Sequence, residues 1–303
     1  MKNTFEPKKI DALIQLAIDE DIGTGDITTA NLLPDGLDAT GVFLAKGSGV
    51  VAGLPVVEYF FSRLDTSVLI NRVAGEGAFV RADEIIATIS GRARTLLSGE
   101  RIALNFLQRL SGIATITAQF VEKIKPLKTA IMDTRKTTPG WRYLEKYAVI
   151  TGGGVNHRMG LYDQVLVKDN HLDIMKGRQG GDAPPSASVI ETVVSTLRKK
   201  VKKGVLIEVE TRTLDEVRDA LKSGADIILF DNMDVARLQE AVSLVNGWKG
   251  LHKPLTEASG NVSLENVHLV ARTGVDRISI GAITHSARAL DISLEINLTK
   301  MFE

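Results

Sequence analysis

From Thr129 to Ile280, short apolar runs alternate with amphipathic stretches, and no other feature of the sequence limits the fold as strongly. The apolar runs are Thr129–Met132, Gln164–Val167, Val205–Val209, Asp226–Phe230, Pro254–Glu257 and Arg277–Ile280. Each has the length of a strand rather than of a helix. Between them, Tyr143–Ile150, Ala187–Lys200, Leu214–Lys222, Val235–Val245 and Leu264–Arg272 carry helical spacing. Thr213-x-x-Glu216 is a capping box at the head of one of these helices. Strand–helix–strand units require right-handed parallel crossovers. Six such units in about 150 residues predict an α/β barrel, complete or short of closure, and periodicity alone leaves a doubly wound sheet open.

The earlier part of the chain has another style. Lys8–Glu20 predicts a helix with Ile10, Leu13, Ile14 and Ala17 on one face. Thr40–Val51, Ser67–Val80 and Glu84–Gly91 predict strands, with Pro55–Leu64 as a helix between the first two. Leu96–Leu110 and Ile113–Ile124 predict two helices broken at Ser111-Gly112. This region is expected to be α+β with antiparallel strands. Gly177–Ser188, rich in Gly, Pro and Ser, is expected to be a long exposed loop.

Composition narrows the chemistry. There is no cysteine, which excludes disulfides, zinc–thiolate sites and cysteine nucleophiles, and fits a cytoplasmic protein. The first nine residues have no apolar signal core, and no apolar run is long enough to span a bilayer. With 37 basic and 37 acidic residues the net charge is zero, unlike that of a general nucleic-acid binder. Within that balance Arg135, Lys136, Arg142, Lys146, His157, Arg158 and Lys168 fall close together, which predicts a basic pocket rather than a basic face.

In parallel barrels the active site lies at the carboxyl ends of the strands. Every predicted strand here ends in polar or small residues: Asp133-Thr134-Arg135-Lys136, Lys168-Asp169-Asn170-His171, Glu210, Asp231-Asn232, Ser259-Gly260-Asn261, and Gly281-Ala282 after Ile280. Arg135, Lys136, Arg158 and Lys168 would converge there, and guanidinium groups grip carboxylates or phosphates through paired hydrogen bonds. Glu210 and Asp231, with Glu208 on the same side of its strand, can hold Mg²⁺ or sugar hydroxyls. Ser259-Gly260 and Gly281-Ala282 have the small-residue pattern of a barrel phosphate site. His157 gains interest from Arg158 beside it, whereas His171 is expected to order its loop. Gly47-Ser48-Gly49-Val50-Val51-Ala52 matches a loose dinucleotide fingerprint, but Pro55 and the antiparallel setting argue against that use.

These segments, in this order, resemble the quinolinate phosphoribosyltransferase family. The resemblance runs nearly end to end. It also takes in Glu20-Asp21-Ile22-Gly23-Thr24-Gly25-Asp26-Ile27-Thr28-Thr29, Ser98-Gly99-Glu100-Arg101-Ile102-Ala103-Leu104-Asn105, Ser111-Gly112-Ile113-Ala114-Thr115 and Gly154-Val155-Asn156-His157-Arg158-Met159-Gly160-Leu161.

The resemblance implies an N-terminal α/β (α+β) sandwich domain, residues 1–112 joined by 287–303, and an open α/β barrel of the phosphoribosyltransferase type over 113–286. It implies conversion of quinolinate and phosphoribosyl pyrophosphate into nicotinate mononucleotide, pyrophosphate and CO₂, with Mg²⁺ and no nucleotide or prosthetic group. By matched position Arg101, Thr134, Arg135, His157, Arg158 and Lys168 would hold quinolinate. Lys136 and Lys168 would face the pyrophosphate. Glu210 and Asp231 would face the ribose and Mg²⁺, and Lys136, Lys168, Glu210 and Asp231 would be the catalytic set. Ser259, Gly260, Asn261, Ile280, Gly281 and Ala282 would cradle the 5′-phosphate. The family forms dimers with shared active sites, so Arg101 would serve the partner's site, and a hexamer remains open. Asp173–Ser188 is longer and richer in Gly and Pro than the family pattern, and it leaves the assembly less certain than the chemistry. The alternatives are a relative acting on nicotinate or another base, and a binding protein that has lost catalysis.

Overall fold

A computed structural model describes residues 5–177, 188–250 and 252–298. In chain order its elements are α1 (Asp11–Asp21), α2 (Ile27–Leu32), β1 (Asp38–Ala45), β2 (Gly49–Val50), α3 (Leu54–Leu64), β3 (Leu69–Arg72), β4 (Phe79–Val80), β5 (Ile85–Arg92) and α4 (Ala93–Lys123). Then follow β6 (Ala130–Met132), α5 (Arg142–Thr151), β7 (Val165–Val167), α6 (Asp169–Lys176), α7 (Val189–Lys200), β8 (Ile207–Thr211) and α8 (Leu214–Ser223). The chain ends with β9 (Ile227–Asp231), α9 (Val235–Asn246), β10 (Leu255–Ser259), α10 (Val267–Arg272), β11 (Arg277–Ser279), α11 (Ala282–His285) and β12 (Ile292–Leu298). These form two compact units. The first takes Met1–Ala118, Lys136–Gly154 and Ala282–Glu303; the second takes Gln119–Arg135 and Val155–Gly281.

The first unit is built on an antiparallel sheet in the order β12-β1-β5-β3, with a small β2-β4 pair. The last strand returns to it, with Phe43 facing Leu294 across β1 and β12. Alternate residues of β1, including Ala39, Phe43 and Ala45, are fully buried, the period of two that a half-buried strand requires. Two expected strands are broken. Ser67–Val80 divides into β3 and β4, because the Val73 and Ala74 N–H groups turn to the Ile86 carbonyl and Ala78 closes a turn on Gly75. Thr40–Val51 likewise divides into β1 and β2.

The expected break at Ser111-Gly112 is absent, and α4 runs unbroken for 31 residues. These two small residues serve packing instead. A Cβ on Gly112 would lie 2.0 Å from the Arg288 carbonyl oxygen, and the Ser111 hydroxyl donates to the Ala52 carbonyl while accepting from its N–H. The Asp21–Thr29 motif has a local explanation. Asp26 caps α2 by accepting from the Thr28 and Thr29 N–H groups, and Ser98 donates to the same carboxylate. The loose dinucleotide fingerprint leads into α3, whose first N–H groups, Gly53 and Leu54, are already satisfied by the Glu76 carboxylate. No phosphate is needed at that helix end.

The second unit is a parallel sheet of six strands in the order β6-β11-β10-β9-β8-β7. The two outer strands, β6 and β7, are not paired with each other among the described residues, so the barrel is open. β8 and β9 are buried along nearly their whole length, as expected of strands covered on both faces. The capping box is present: Glu216 N–H donates to Thr213 Oγ1, and Thr213 N–H donates to Glu216 Oε2. Part of the expected 173–188 loop is helical, since α6 extends to Lys176; residues 178–187 lie outside the described residues.

Candidate active site

Beyond β6 the chain turns back so that Val155 runs parallel to Met132 on its outer side. Val155 N–H donates to the Ile131 carbonyl at 2.8 Å, which carries Asn156, His157 and Arg158 alongside the end of β6. Asp133, wholly buried, accepts the His157 backbone N–H at 2.8 Å. Thr134 and Arg135 follow Asp133 just beyond the end of β6. His157 is thus held from the β6 side by its backbone N–H on the Asp133 carboxylate, and Arg158 follows it.

Their side chains reach the core of the barrel. His157 Nε2 lies 3.2 Å from Glu208 on β8 and 3.4 Å from Glu257 on β10, and both carboxylates are completely buried. Gln164 donates from its side chain to Glu208 at 2.6 Å, while its backbone carbonyl accepts from Arg158 at 3.1 Å. Arg277 on β11 stands 3.8 Å from Glu257. Burial opposes charge on the His157 ring, but the hydrogen bonds and charges of Glu208 and Glu257 outweigh it and raise the pKa to about 9. The Arg158 N–H points at Nδ1 from 2.7 Å, which opposes a proton there. Two buried carboxylates set against that single peptide dipole favour the charged ring. Burial and Glu257 push the Glu208 carboxyl up while His157 pulls it down.

Arg158 is only 9% exposed, and its pKa is lowered by burial and by the positive charge of Arg135. A second positive charge acting on a buried guanidinium favours an anion beside them. On the other side of the sheet opening, Lys168 follows β7 and stands 3.9 Å from Glu210 on β8. Burial and the neighbouring Asp231 raise the Glu210 pKa, and Lys168 counters them. His171 orders the Lys168 turn, as expected, by accepting the Lys168 N–H at Nδ1.

The loops after β9 and β10 are braced against each other. Asn232 N–H donates to the Ser259 carbonyl at 2.8 Å, and Asn261 donates to the Asn232 side chain at 3.2 Å. Asn232, Gly260 and Asn261 all have left-handed backbone, with φ of 54°, 96° and 50°. Only glycine fits at position 260, since a Cβ would meet Asn232 Oδ1 at 2.1 Å. Ile280 N–H donates to the Met132 carbonyl and leads into Gly281.

The second unit therefore holds Thr134, Arg135, His157, Arg158, Lys168, Glu210, Asp231, Ser259, Gly260, Asn261, Ile280 and Gly281. Arg101, Lys136 and Ala282 belong to the first unit, as do Arg142 and Lys146 of the expected basic pocket. Arg101 is exposed on α4. The Lys136 carbonyl accepts from Thr284 at 2.8 Å. The fully buried Glu145 takes Thr138 and Arg109, and Arg109 also donates to the Thr284 and Ala287 carbonyls. This network fixes the segments carrying Lys136 and Ala282.

Several of these contributors were not expected. Gln164, Arg277, Arg109 and Glu145 carry no motif of their own, and Glu257, which heads the Glu257–Asn261 segment of the family resemblance, was given no role there. Glu257 and Glu145 had one weak signal, an acidic residue inside an apolar stretch.

Buried paired cations, opposed carboxylates and braced small-residue loops at the strand ends of an open parallel barrel define an α/β-barrel enzyme for small, multiply charged substrates. The C-terminal domain model of quinolinate phosphoribosyl transferase matches residues 113–295, and the N-terminal domain model matches residues 26–111. A probable nicotinate-nucleotide pyrophosphorylase [carboxylating] of Synechocystis is 44% identical, covering 95% of this chain and 92% of that one. The chloroplastic nicotinate-nucleotide pyrophosphorylase [carboxylating] of Arabidopsis thaliana is 41% identical, covering 94% and 82%. The crystal structure of NadC from Streptococcus pyogenes superposes with a TM-score of 0.89 at 33% identity, covering 98% and 99%. The chain belongs to the quinolinate phosphoribosyltransferase family.

Proposed function

We propose that this chain transfers the phosphoribosyl group of phosphoribosyl pyrophosphate to quinolinate, giving nicotinate mononucleotide, pyrophosphate and CO₂ in NAD biosynthesis. The observation that carries this reading is the pairing of Arg135 with the buried Arg158 beside a charged His157. Adjacent carboxylates on a pyridine ring suit adjacent buried cations. Thr134 and Lys168 complete this grip.

The pyridine nitrogen attacks the anomeric carbon as its bond to pyrophosphate breaks, and the electron pair leaves with pyrophosphate. Lys136 and Lys168 face the leaving group, and Glu210 and Asp231 face the positive charge that develops on the sugar. The bond from ring carbon 2 to its carboxylate then breaks. CO₂ departs, the electron pair stays on a carbon flanked by the quaternised nitrogen, and that carbon takes a proton. Positioning and fixed charge supply most of the catalysis. Ser259, Gly260, Asn261, Ile280, Gly281 and Ala282 hold the 5′-phosphate, supported by the braced turns at Asn232 and Gly260.

The repelling carboxylates of Glu210 and Asp231 fit a hard cation through oxygen ligands. Mg²⁺ held there would neutralise charge on the departing pyrophosphate. The working form is a cytoplasmic homodimer or a hexamer built from three such dimers, in which Arg101 of the partner subunit completes the quinolinate grip. Its exposure, with no ion pair among the described residues, supports this. The purified chain is expected to release labelled CO₂ from carboxyl-labelled quinolinate only when phosphoribosyl pyrophosphate and Mg²⁺ are both present. Folded protein that releases none overturns the proposal.

A further inference from the structure

Two carboxylates with no exposure lie inside the barrel, and neither is assigned a role in the transfer itself. Glu208 and Glu257 come from strands separated by β9, yet both turn to one imidazole, at 3.2 and 3.4 Å. Burying two carboxylates is costly unless they are compensated. The compensation comes from Gln164 and His157 on Glu208, and from His157 and Arg277 on Glu257. Hydrogen bonding remains incomplete: among the described residues Glu208 Oε1 has no hydrogen-bond partner, and Glu257 meets His157 and Arg277 as ion pairs at 3.4 and 3.8 Å rather than through well-formed hydrogen bonds. An incompletely satisfied pair in a core has no evident benefit to stability. Its use must lie in what it does to the histidine.

Gln164 adds the second half. Its side chain holds the carboxylate that holds His157, and its carbonyl holds Arg158. The two adjacent cations are therefore fixed through one residue.

We propose that Glu257 is a specificity-determining positioning residue: with Glu208 it sets the orientation and protonation of His157, and Gln164 ties that ring to Arg158, so that the two side chains recognise a dicarboxylate as one unit. This rests on the quinolinate reading above. The groups around the ring are Glu208 from β8, Glu257 from β10 with Arg277 of β11 behind it, Asp133 at the end of β6 on the backbone N–H, and Arg158 with Arg135 and Asp163 near it. Glu257 is the one that can be neutralised without touching a residue placed against substrate. The three ligand atoms of His157, Glu208 and Glu257 also lie within 4.8 Å of one another, a spacing that a metal ion could use. Arg277 and the cationic ring already supply the positive charge that a metal would bring.

The test is the KM for quinolinate against pH, at saturating phosphoribosyl pyrophosphate, for the wild type and Glu257→Gln. A cation at His157 persists until pH rises through about 9, so the wild-type KM should stay flat to about pH 8.5. In Glu257→Gln the ring should lose its proton earlier, and KM should rise about tenfold per pH unit above neutrality. The KM for phosphoribosyl pyrophosphate should change less than about twofold, and Glu257→Asp should restore part of the wild-type profile. Histidine titration by NMR, with His157→Asn assigning the signal among five histidines, reads the same ring without activity or the Gln variant. Parallel KM profiles in an active wild type and Glu257→Gln overturn this inference, as does a wild-type His157 that titrates below pH 7. Stoichiometric transition metal in the purified protein, lost on His157→Asn substitution, also overturns it. An inactive wild type whose His157 titrates near pH 9 refutes the quinolinate reading instead.

Discussion

Arg158 is buried beside Arg135, whose positive charge, together with burial, raises the cost of charging the Arg158 guanidinium. Such a pair stores an affinity for an anion, and two carboxylates on one ring would relieve it better than one. Arg158→Lys keeps the charge and loses the planar fork. A lost charge-assisted hydrogen bond is worth about 1.5–3 kcal/mol. The KM for quinolinate should therefore rise roughly 10- to 150-fold. The KM for phosphoribosyl pyrophosphate should move little. Steady-state kinetics with each substrate varied in turn checks this.

Gly260 gives a second test. Its φ of 96° and the 2.1 Å approach of Asn232 Oδ1 leave no room for a methyl group. Gly260→Ala should raise the KM for phosphoribosyl pyrophosphate about tenfold or more and cost about 1–3 kcal/mol of stability. Adding Asn232→Ala removes the clash but not the backbone strain, so it should recover only part of the loss. Full recovery in urea titrations and kinetics would show that the conformation of this turn does not matter.

Arg109 and Glu145 concern the first unit. Glu145 is fully buried, and Arg109 is its only ion-pair partner among the described residues. Arg109→Met strands that carboxylate, which should cost about 3–5 kcal/mol in chemical denaturation. Because the same arginine anchors the Thr284 and Ala287 carbonyls, kcat should fall in protein that remains folded.

The shared-site proposal predicts complementation. Arg101→Ala and Lys136→Ala subunits should each be inactive alone and regain about a quarter of wild-type activity per site when exchanged in equal amounts, because half the subunits then sit in mixed dimers and each holds one intact site of two. Demonstrated exchange of subunits without activity contradicts a site completed by Arg101.

Much of this was legible in the chain. The alternation over 129–280 predicted all six parallel strands, because short buried strands and amphipathic helices leave different periods in sequence. The polar strand ends were equally readable, and Lys168, Glu210 and Asp231 stand at the carboxyl ends of β7, β8 and β9, whereas Arg158 reaches the site from the irregular segment before β7. Ser111-Gly112 misled because small residues can either break a helix or let another segment approach it, and sequence does not distinguish the two. Gln164, Glu257 and Arg277 were missed for a related reason. Their roles depend on which strands become neighbours, and the order β11-β10-β9-β8-β7 that joins them to His157 emerges only when the sheet is assembled. Lys136 and Arg135 are adjacent in sequence yet fall in different compact units, a division that no local pattern announces.

The claim that joins these observations is that the site grips two carboxylates on one pyridine ring. The most direct measurement compares kcat/KM for quinolinate with that for nicotinate, which lacks the second carboxylate, in the same preparation with phosphoribosyl pyrophosphate and Mg²⁺. Loss of a buried charged partner in a site built for it predicts a ratio of about 10³ or more in favour of quinolinate. Equal turnover of the two bases, or a preference for nicotinate, contradicts the account.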